Sequence, residues 1–112
     1  EPSARFVDAA GAELLLVGDS VGNVVLGQND TLGVTVEMMA HHVAAVARAN
    51  PKGVIVGDLP WLSYHVSVED SVRNAAALVL TAFDAAALLV PTNEITALSR
   101  TVSGVTLTVP VP

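Results

Sequence analysis

Two apolar runs that each end at a carboxylate decide the fold of this chain. The first run reads Leu14-Leu15-Leu16-Val17-Gly18-Asp19-Ser20, and the second reads Val54-Ile55-Val56-Gly57-Asp58-Leu59-Pro60. Continuous apolar character without alternation is typical of a parallel strand that is covered on both faces. In parallel sheets and barrels, functional groups collect at the carboxyl ends of the strands, where loops open. Asp19 and Asp58 are therefore the first candidates for a metal-binding or catalytic site.

The rest of the chain alternates between helical and strand patterns. Helices are expected over residues 2–10, about 35–49, about 67–82 and 93–102, and strands over residues 13–17, 54–56, 84–90 and 105–109. Thr35 is the expected N-cap of the second helix. Residues 18–33 are expected to form a long loop of the kind that often carries function. The alternation implies an α/β fold with parallel (β/α) units and right-handed crossovers, either open or part of a (β/α)8 barrel.

Composition and length limit the possible classes of protein. The chain has 112 residues, of which 52% are hydrophobic and 14% charged, so we expect a single well-buried domain or a fragment of one. A complete (β/α)8 barrel needs about 250 residues, so a chain of this length can form only about half of one. The chain begins without Met and without a secretory signal pattern, so either a segment was removed or the chain is part of a longer one.

Charge and residue usage exclude several kinds of partner. The net charge is −6 with only five Lys and Arg residues, which argues against nucleic acid as a ligand. The absence of cysteine excludes disulfides and thiolate metal sites. No apolar stretch approaches the roughly 20 residues that a membrane span needs. We therefore expect a soluble protein, with the cytoplasm as its default location.

The residues around the two carboxylates resemble a known enzyme family. The similar segments are VGDSVGNVVLG at 17–27, DTL at 30–32, VT at 34–35, His42, AVAR at 45–48, DLP at 58–60, SY at 63–64 and RNA at 73–75. Over residues 2–79 their order and spacing resemble those of the ketopantoate hydroxymethyltransferases. From residue 85 onward the resemblance is weak.

The resemblance implies a (β/α)8 enzyme that transfers a hydroxymethyl group from 5,10-methylenetetrahydrofolate to 3-methyl-2-oxobutanoate. By the family pattern, Asp19 and Asp58 bind Mg²⁺ and contact the substrate, while Ser20 helps to hold the carboxylate or keto oxygen of that substrate. A hard cation with oxygen ligands suits this chemistry, because it polarises a ketone and stabilises the enolate formed next to it. The family also implies a homo-oligomer, in this case a decamer.

The chain departs from the family pattern in its last quarter. Leu88 and Val90 stand where the family has a lysine and a glutamate, and the general base of the family would lie beyond residue 112. Two interpretations therefore stay open. One is an enzyme with a magnesium-stabilised enolate, and the other is a non-catalytic half-barrel or pseudoenzyme that associates with copies of itself or with a partner chain. A half-barrel leaves unpaired strand edges and an apolar face, which favour association.

Other polar and aromatic residues are weaker candidates. His41 and His42 are adjacent in a predicted helix and lack the i, i+4 spacing that would put both rings on one face, so we expect surface or half-buried residues. His65 is a minor candidate for contact with a ligand, because it follows the second carboxylate in a loop. Trp61 and Tyr64 could line a pterin pocket, or could anchor their loop or an oligomer contact.

Overall fold

The computed structural model describes residues 1–87 as parallel β/α units. Its elements are α1 (Pro2–Ala9), β1 (Leu14–Val17), α2 (Val21–Val24), α3 (Val36–Ala47), β2 (Val54–Gly57) and α4 (Val68–Ala87). Strands β1 and β2 are adjacent and parallel, with Leu14 opposite Val54 and Val17 opposite Gly57. The prediction of an α/β fold with parallel strands is confirmed for this part of the chain.

Helix α3 begins at the predicted cap. Thr35 has an extended backbone, and its Oγ1 accepts a hydrogen bond from the N–H of Met38 at 3.2 Å. This bond satisfies one of the amide groups that a helix leaves free at its first turn. The buried face of α3 consists of Met39, Val43 and Ala47, which are four residues apart and so lie on one side of the helix. The helix ends at Ala47, slightly before the predicted end near residue 49.

The core lies where α3 and α4 pack on each other and on the sheet. Met39 is fully buried, and Val43 and Leu78 are each 2% exposed. Val17 of β1 belongs to this core, and Leu15 is buried on the same side of the strand. Burying one large apolar side chain stabilises a fold by roughly 1.5–3 kcal/mol, so these contacts between the helices and the sheet account for the position of both strands.

Strand β1 is covered on one face only in the described part of the chain. Leu15 and Val17 are buried, whereas Leu14 is 56% and Leu16 is 61% exposed. The expectation that both faces are covered is therefore wrong for residues 1–87. The physical reason is that the apolar residues of a strand suit burial on either face, but the helices of the described part of the chain cover only one of them.

Helix α4 is longer than the sequence pattern predicts. It continues to Ala87, so residues 84–87 are helical and do not begin a third strand. Alanine has the highest helix propensity, and Ala85, Ala86 and Ala87 favour continuation of the helix over a strand. The rest of the predicted strand at 88–90, the helix at 93–102 and the strand at 105–109 lie outside the described residues. So do Leu88 and Val90. Within residues 1–87, no helix has the length and apolar character needed to span a membrane.

The connection after β1 contains a short helix, α2, where the sequence predicted only a loop. Gly22 lies in this helix, and a Cβ at this position would be 2.8 Å from Cγ2 of Val34 and 3.0 Å from Oε1 of Gln28. Asn23 Nδ2 donates a hydrogen bond to the carbonyl of Gln28 at 3.0 Å. The backbone N–H of Gln28 donates to the carbonyl of Gly22 at 2.8 Å. The connection therefore folds back on itself, and a side chain at position 22 would crowd Val34 and Gln28.

Asp8 attaches α1 to the segment that leads into β2. Its Oδ1 accepts hydrogen bonds from the N–H groups of Lys52, at 2.7 Å, and Gly53, at 3.2 Å. Both bonds are assisted by the negative charge of the carboxylate. Residues far apart in the sequence are thereby held together at the amino end of the sheet, opposite the end where the candidate site lies.

Candidate metal and substrate site

Asp19 and Asp58 lie together at the carboxyl ends of the two strands. Val17 and Gly57, the last residues of β1 and β2, are paired, so both strands end at the same edge of the sheet. Asp58 Oδ2 accepts a hydrogen bond from the backbone N–H of Asp19 at 3.2 Å, and the N–H of Asp58 donates to the carbonyl of Val17 at 3.0 Å. The register of the sheet thus brings together the two residues that the sequence nominated. Their role as metal ligands stays a prediction.

Ser20 lies on the same turn. A Cβ on Gly18 would be 3.1 Å from Oγ of Ser20 and 3.4 Å from Oδ2 of Asp58, so both oxygens approach the same side of this glycine. Ser20 precedes α2, but its side chain makes no capping hydrogen bond to that helix. The Ser20 residue is exposed, and its hydroxyl is therefore available to a bound molecule.

The chemistry of these side chains fits magnesium. Among the described residues, neither Oδ1 of Asp58 nor the carboxylate of Asp19 accepts a hydrogen bond from the protein. No group of three or more Asp, Glu or His side chains that could hold a metal occurs within residues 1–87. Mg²⁺ is usually bound through one or two carboxylates and keeps several positions for water or substrate, whereas Zn²⁺ favours nitrogen and sulfur ligands in closed sites. Two aspartates at an open edge therefore match the needs of Mg²⁺.

A pocket of about 230 Å³ opens beside Ser20. It is lined by Glu1, Leu16, Val17, Gly18, Ser20, Val21, Val24, Val25, His42, Ala45 and Val46. His42 is half-buried, as the sequence predicted, yet it faces the pocket that Ser20 also lines. Helical spacing could not reveal this neighbour, because His42 comes from α3 and Ser20 from the turn after β1. The one signal in the sequence was the presence of His42 among the segments that resemble the family.

His41 does not line this pocket and is exposed. Its ring contacts the ring of His42 edge-on, with 5.3 Å between the ring centroids. The two adjacent histidines therefore have different surroundings, and only His42 lies near the candidate site.

The loop after Asp58 brings three rings together. The ring of His65 is centred 4.4 Å from that of Trp61 and 4.1 Å from that of Tyr64, which it stacks on. Trp61 is half exposed, and His65 is exposed as well. Leu62 lies in the same loop and has a φ of 66°, a left-handed conformation that is strained for a leucine. The predicted contact of His65 with a ligand, and the pterin role considered for Trp61 and Tyr64, stay predictions.

Parallel β/α units with two aspartates and a serine at the carboxyl edge of the sheet define an α/β protein whose candidate site lies where such folds bind ligands. Comparison with known proteins identifies the group within this class. The family model of ketopantoate hydroxymethyltransferase matches residues 1–111. The chain belongs to the ketopantoate hydroxymethyltransferase family, which confirms the resemblance found in the sequence.

Several curated relatives carry the name 3-methyl-2-oxobutanoate hydroxymethyltransferase. The chain is 62% identical to the one from Ignicoccus hospitalis over 78 residues, which is 70% of this chain and 30% of that relative. It is 53% identical to the one from Bacillus subtilis over 78 residues, covering 70% of this chain and 28% of the relative. The relative from Pyrobaculum neutrophilum is 52% identical over 87 residues, which is 78% of this chain and 33% of that relative. The chain thus spans about a third of the length of the relatives that it matches.

Proposed function

We propose that this chain provides the metal and keto-acid site of a ketopantoate hydroxymethyltransferase, as part of a (β/α)8 barrel. The reaction transfers a hydroxymethyl group from 5,10-methylenetetrahydrofolate to C3 of 3-methyl-2-oxobutanoate and yields ketopantoate. The observation that carries this proposal is the hydrogen bond from the N–H of Asp19 to Oδ2 of Asp58, which draws the two carboxylate residues together. The names of the curated relatives support the same activity.

Each polar residue of the site has a proposed role. Asp19 and Asp58 hold Mg²⁺, and the hydroxyl of Ser20 donates a hydrogen bond to the carboxylate or keto oxygen of the substrate. When bound, Mg²⁺ polarises the keto group and stabilises the negative charge that develops as C3 loses its proton. The electron pair left on C3 forms the new bond to the methylene carbon, whose bonds to the folate nitrogens break. Water supplies the hydroxyl oxygen, and tetrahydrofolate leaves. The proton acceptor is not assigned to a residue of this chain.

Deuterium exchange at C3 of 3-methyl-2-oxobutanoate tests this proposal without the folate. With a buffer base as the proton acceptor, we expect Mg²⁺-dependent exchange with the wild-type chain and its loss in Asp58→Ala, because that variant removes one of the two carboxylates. Asp30→Ala is the matched control, since Asp30 is exposed and its Oδ1 only accepts a hydrogen bond from the N–H of Leu32 at 3.0 Å. Exchange that persists in Asp58→Ala at the level of Asp30→Ala would contradict the assignment.

A second proposal, a non-catalytic unit that packs on copies of itself or on a partner chain, draws support from one observation. Leu14 and Leu16 expose more than half of their surface on the uncovered face of β1. Apolar surface of this kind favours association. Analytical ultracentrifugation across a range of concentrations tests it together with the exchange assay. Self-association without any C3 exchange would favour this second proposal over the enzyme.

A further inference from the structure

Helix α4 holds the loop after Asp58 through side chains that the proposed reaction does not use. Asn74 Nδ2 donates a hydrogen bond to the carbonyl of Ser63 at 2.7 Å. Ser63 Oγ in turn donates to the carbonyl of Pro60 at 2.7 Å. The hydrogen bonds thus lead from α4 back to a residue that lies two positions after Asp58.

A second contact supports the same loop. Oγ of Ser71 lies 3.0 Å from the carbonyl of Tyr64 and 2.7 Å from the carbonyl of Ser67. Ser63 and Ser71 are the buried polar residues of the described part of the chain, at 7% and 8% exposure. Buried polar groups are kept in folded proteins where they are hydrogen-bonded, and here their partners are carbonyls of the loop. The loop therefore depends on α4 for hydrogen bonds that a sheet or helix would otherwise supply.

The start of the loop has little freedom to move independently of these contacts. Pro60 is fully buried and Leu59 is 9% exposed, so both are fixed by packing. The proline ring also restricts rotation about its own N–Cα bond. Asp58 directly precedes this pair, so its carboxylate adjoins the part of the loop that packing and these hydrogen bonds hold.

The loop contains one residue in an unfavourable backbone conformation. Leu62, between Pro60 and Ser63, has a φ of 66°. Left-handed conformations of bulky residues persist only where the surrounding structure holds them, and they cluster at functional sites. The hydrogen bond from Asn74 to Ser63 lies directly after this strained residue.

We propose that Asn74 is a positioning residue, which holds residues 59–66 through the carbonyl of Ser63 and thereby sets the place of the Asp58 carboxylate. The same bond holds the loop in which the ring of Trp61 lies 4.4 Å from that of His65, centroid to centroid. The link to metal binding rests on the proposed function, whereas the link to the Trp61 environment does not.

The test compares two variants of the full chain that each remove one 2.7 Å hydrogen bond donated by α4. Asn74→Leu removes the bond to Ser63 with little change in size, and Thr81→Val removes the matched bond from Thr81 Oγ1 to the carbonyl of Ala77. Thr81 lies two turns further along, and its hydroxyl donates within α4, so Thr81→Val reports the effect of losing one hydrogen bond of this helix. Calorimetric titration with Mg²⁺ gives the affinity. Acrylamide quenching reports the environment of Trp61, the single tryptophan.

We expect Asn74→Leu to lower the Mg²⁺ affinity by about tenfold or more, as other residues that orient metal ligands do. We also expect stronger quenching of Trp61, while Thr81→Val keeps the wild-type values of both. Where the wild type binds Mg²⁺, equal values for the two variants in either measurement overturn the inference. If Asn74→Leu does not fold, Asn74→Ser is measured in its place.

The same measurements distinguish a failure of the proposed magnesium site from a failure of the positioning role of Asn74. If the wild-type chain binds no Mg²⁺, the magnesium site fails and the quenching comparison alone decides whether Asn74 holds the loop. If the wild type binds Mg²⁺ and Asn74→Leu binds it equally well, the positioning role is wrong and the magnesium site stands.

Discussion

Replacing Asp8 with alanine should loosen the attachment of α1 to the sheet. The change removes the acceptor of two backbone N–H groups, those of Lys52 at 2.7 Å and Gly53 at 3.2 Å. Hydrogen bonds to a charged group contribute roughly 1.5–3 kcal/mol each. Lys52 is exposed and the Gly53 bond is long, so water replaces part of both interactions. We therefore expect Asp8→Ala to lower the free energy of unfolding by about 2 kcal/mol in total.

Asp8→Asn separates the charge from the hydrogen bond. The amide oxygen of asparagine still accepts from Lys52 or Gly53, but without the negative charge that strengthens the bonds. Neutral hydrogen bonds contribute roughly 0.5–1.5 kcal/mol, so we expect this variant to lose about 1 kcal/mol. We therefore expect the free energy of unfolding to fall in the order wild type, Asp8→Asn, Asp8→Ala.

Urea unfolding at neutral pH, followed by the fluorescence of Trp61, measures these differences. Small proteins have denaturant slopes of about 1–3 kcal/mol/M, so a loss of about 2 kcal/mol moves the midpoint down by about 1 M urea. A midpoint of Asp8→Ala equal to that of the wild type would refute the reasoning. Equal midpoints for Asp8→Asn and Asp8→Ala would show that the charge of Asp8, rather than the bonds themselves, carries the effect.

Two further predictions concern the connection after β1 and the start of α3. Gly22→Ala should lower stability by about 2 kcal/mol, because the new Cβ would lie 2.8 Å from Cγ2 of Val34 and 3.2 Å from the carbonyl of Asp30; an unchanged urea midpoint would contradict this. Thr35→Ala should lose about 1 kcal/mol through the missing cap, measured in the same way at neutral pH. The pKa of Glu37 is lowered from 4.5 by its own backbone N–H and, second, by the Thr35 hydroxyl. The stability that Glu37 contributes is therefore present above pH 4.5 and lost as the pH falls through the lowered pKa. Urea unfolding of the wild type and of Glu37→Gln at several pH values measures this contribution. The difference in their free energies of unfolding should shrink as the pH falls, and a difference that is the same at every pH would contradict the reasoning.

Much of the sheet and the position of the site follow from local patterns. An apolar run that stops at Gly18-Asp19 and another that stops at Gly57-Asp58 predict two strands that end in carboxylates. Parallel pairing then places both ends at one edge, as the bond between Asp19 and Asp58 shows. The cap at Thr35 is equally local, since it depends on a side chain three residues from its partner.

Other features depend on contacts between distant residues, and the sequence patterns missed them. The pocket beside Ser20 combines α3 with the turn after β1, so no spacing along the chain reveals that His42 lines it. The end of α4 was misplaced, because the alanine-rich residues 84–87 suit both a helix and a buried strand. Asn74 belongs to a segment that resembles the family, but no local pattern marked it as a loop anchor, because its partner Ser63 lies outside α4.

The sequence by itself determined the order of the elements up to α4 except for the short helix α2, the parallel pairing of the strands, and the family to which the chain belongs. These properties rest on periodicity, on caps and on the residues that follow strands, all of which act over a few positions. Only the tertiary structure decided which face of β1 is covered, which residues share a pocket with Ser20, and which side chains hold the loop after Asp58. Burial and hydrogen bonding across elements depend on how the helices pack, and a local pattern of residues carries no information about that packing.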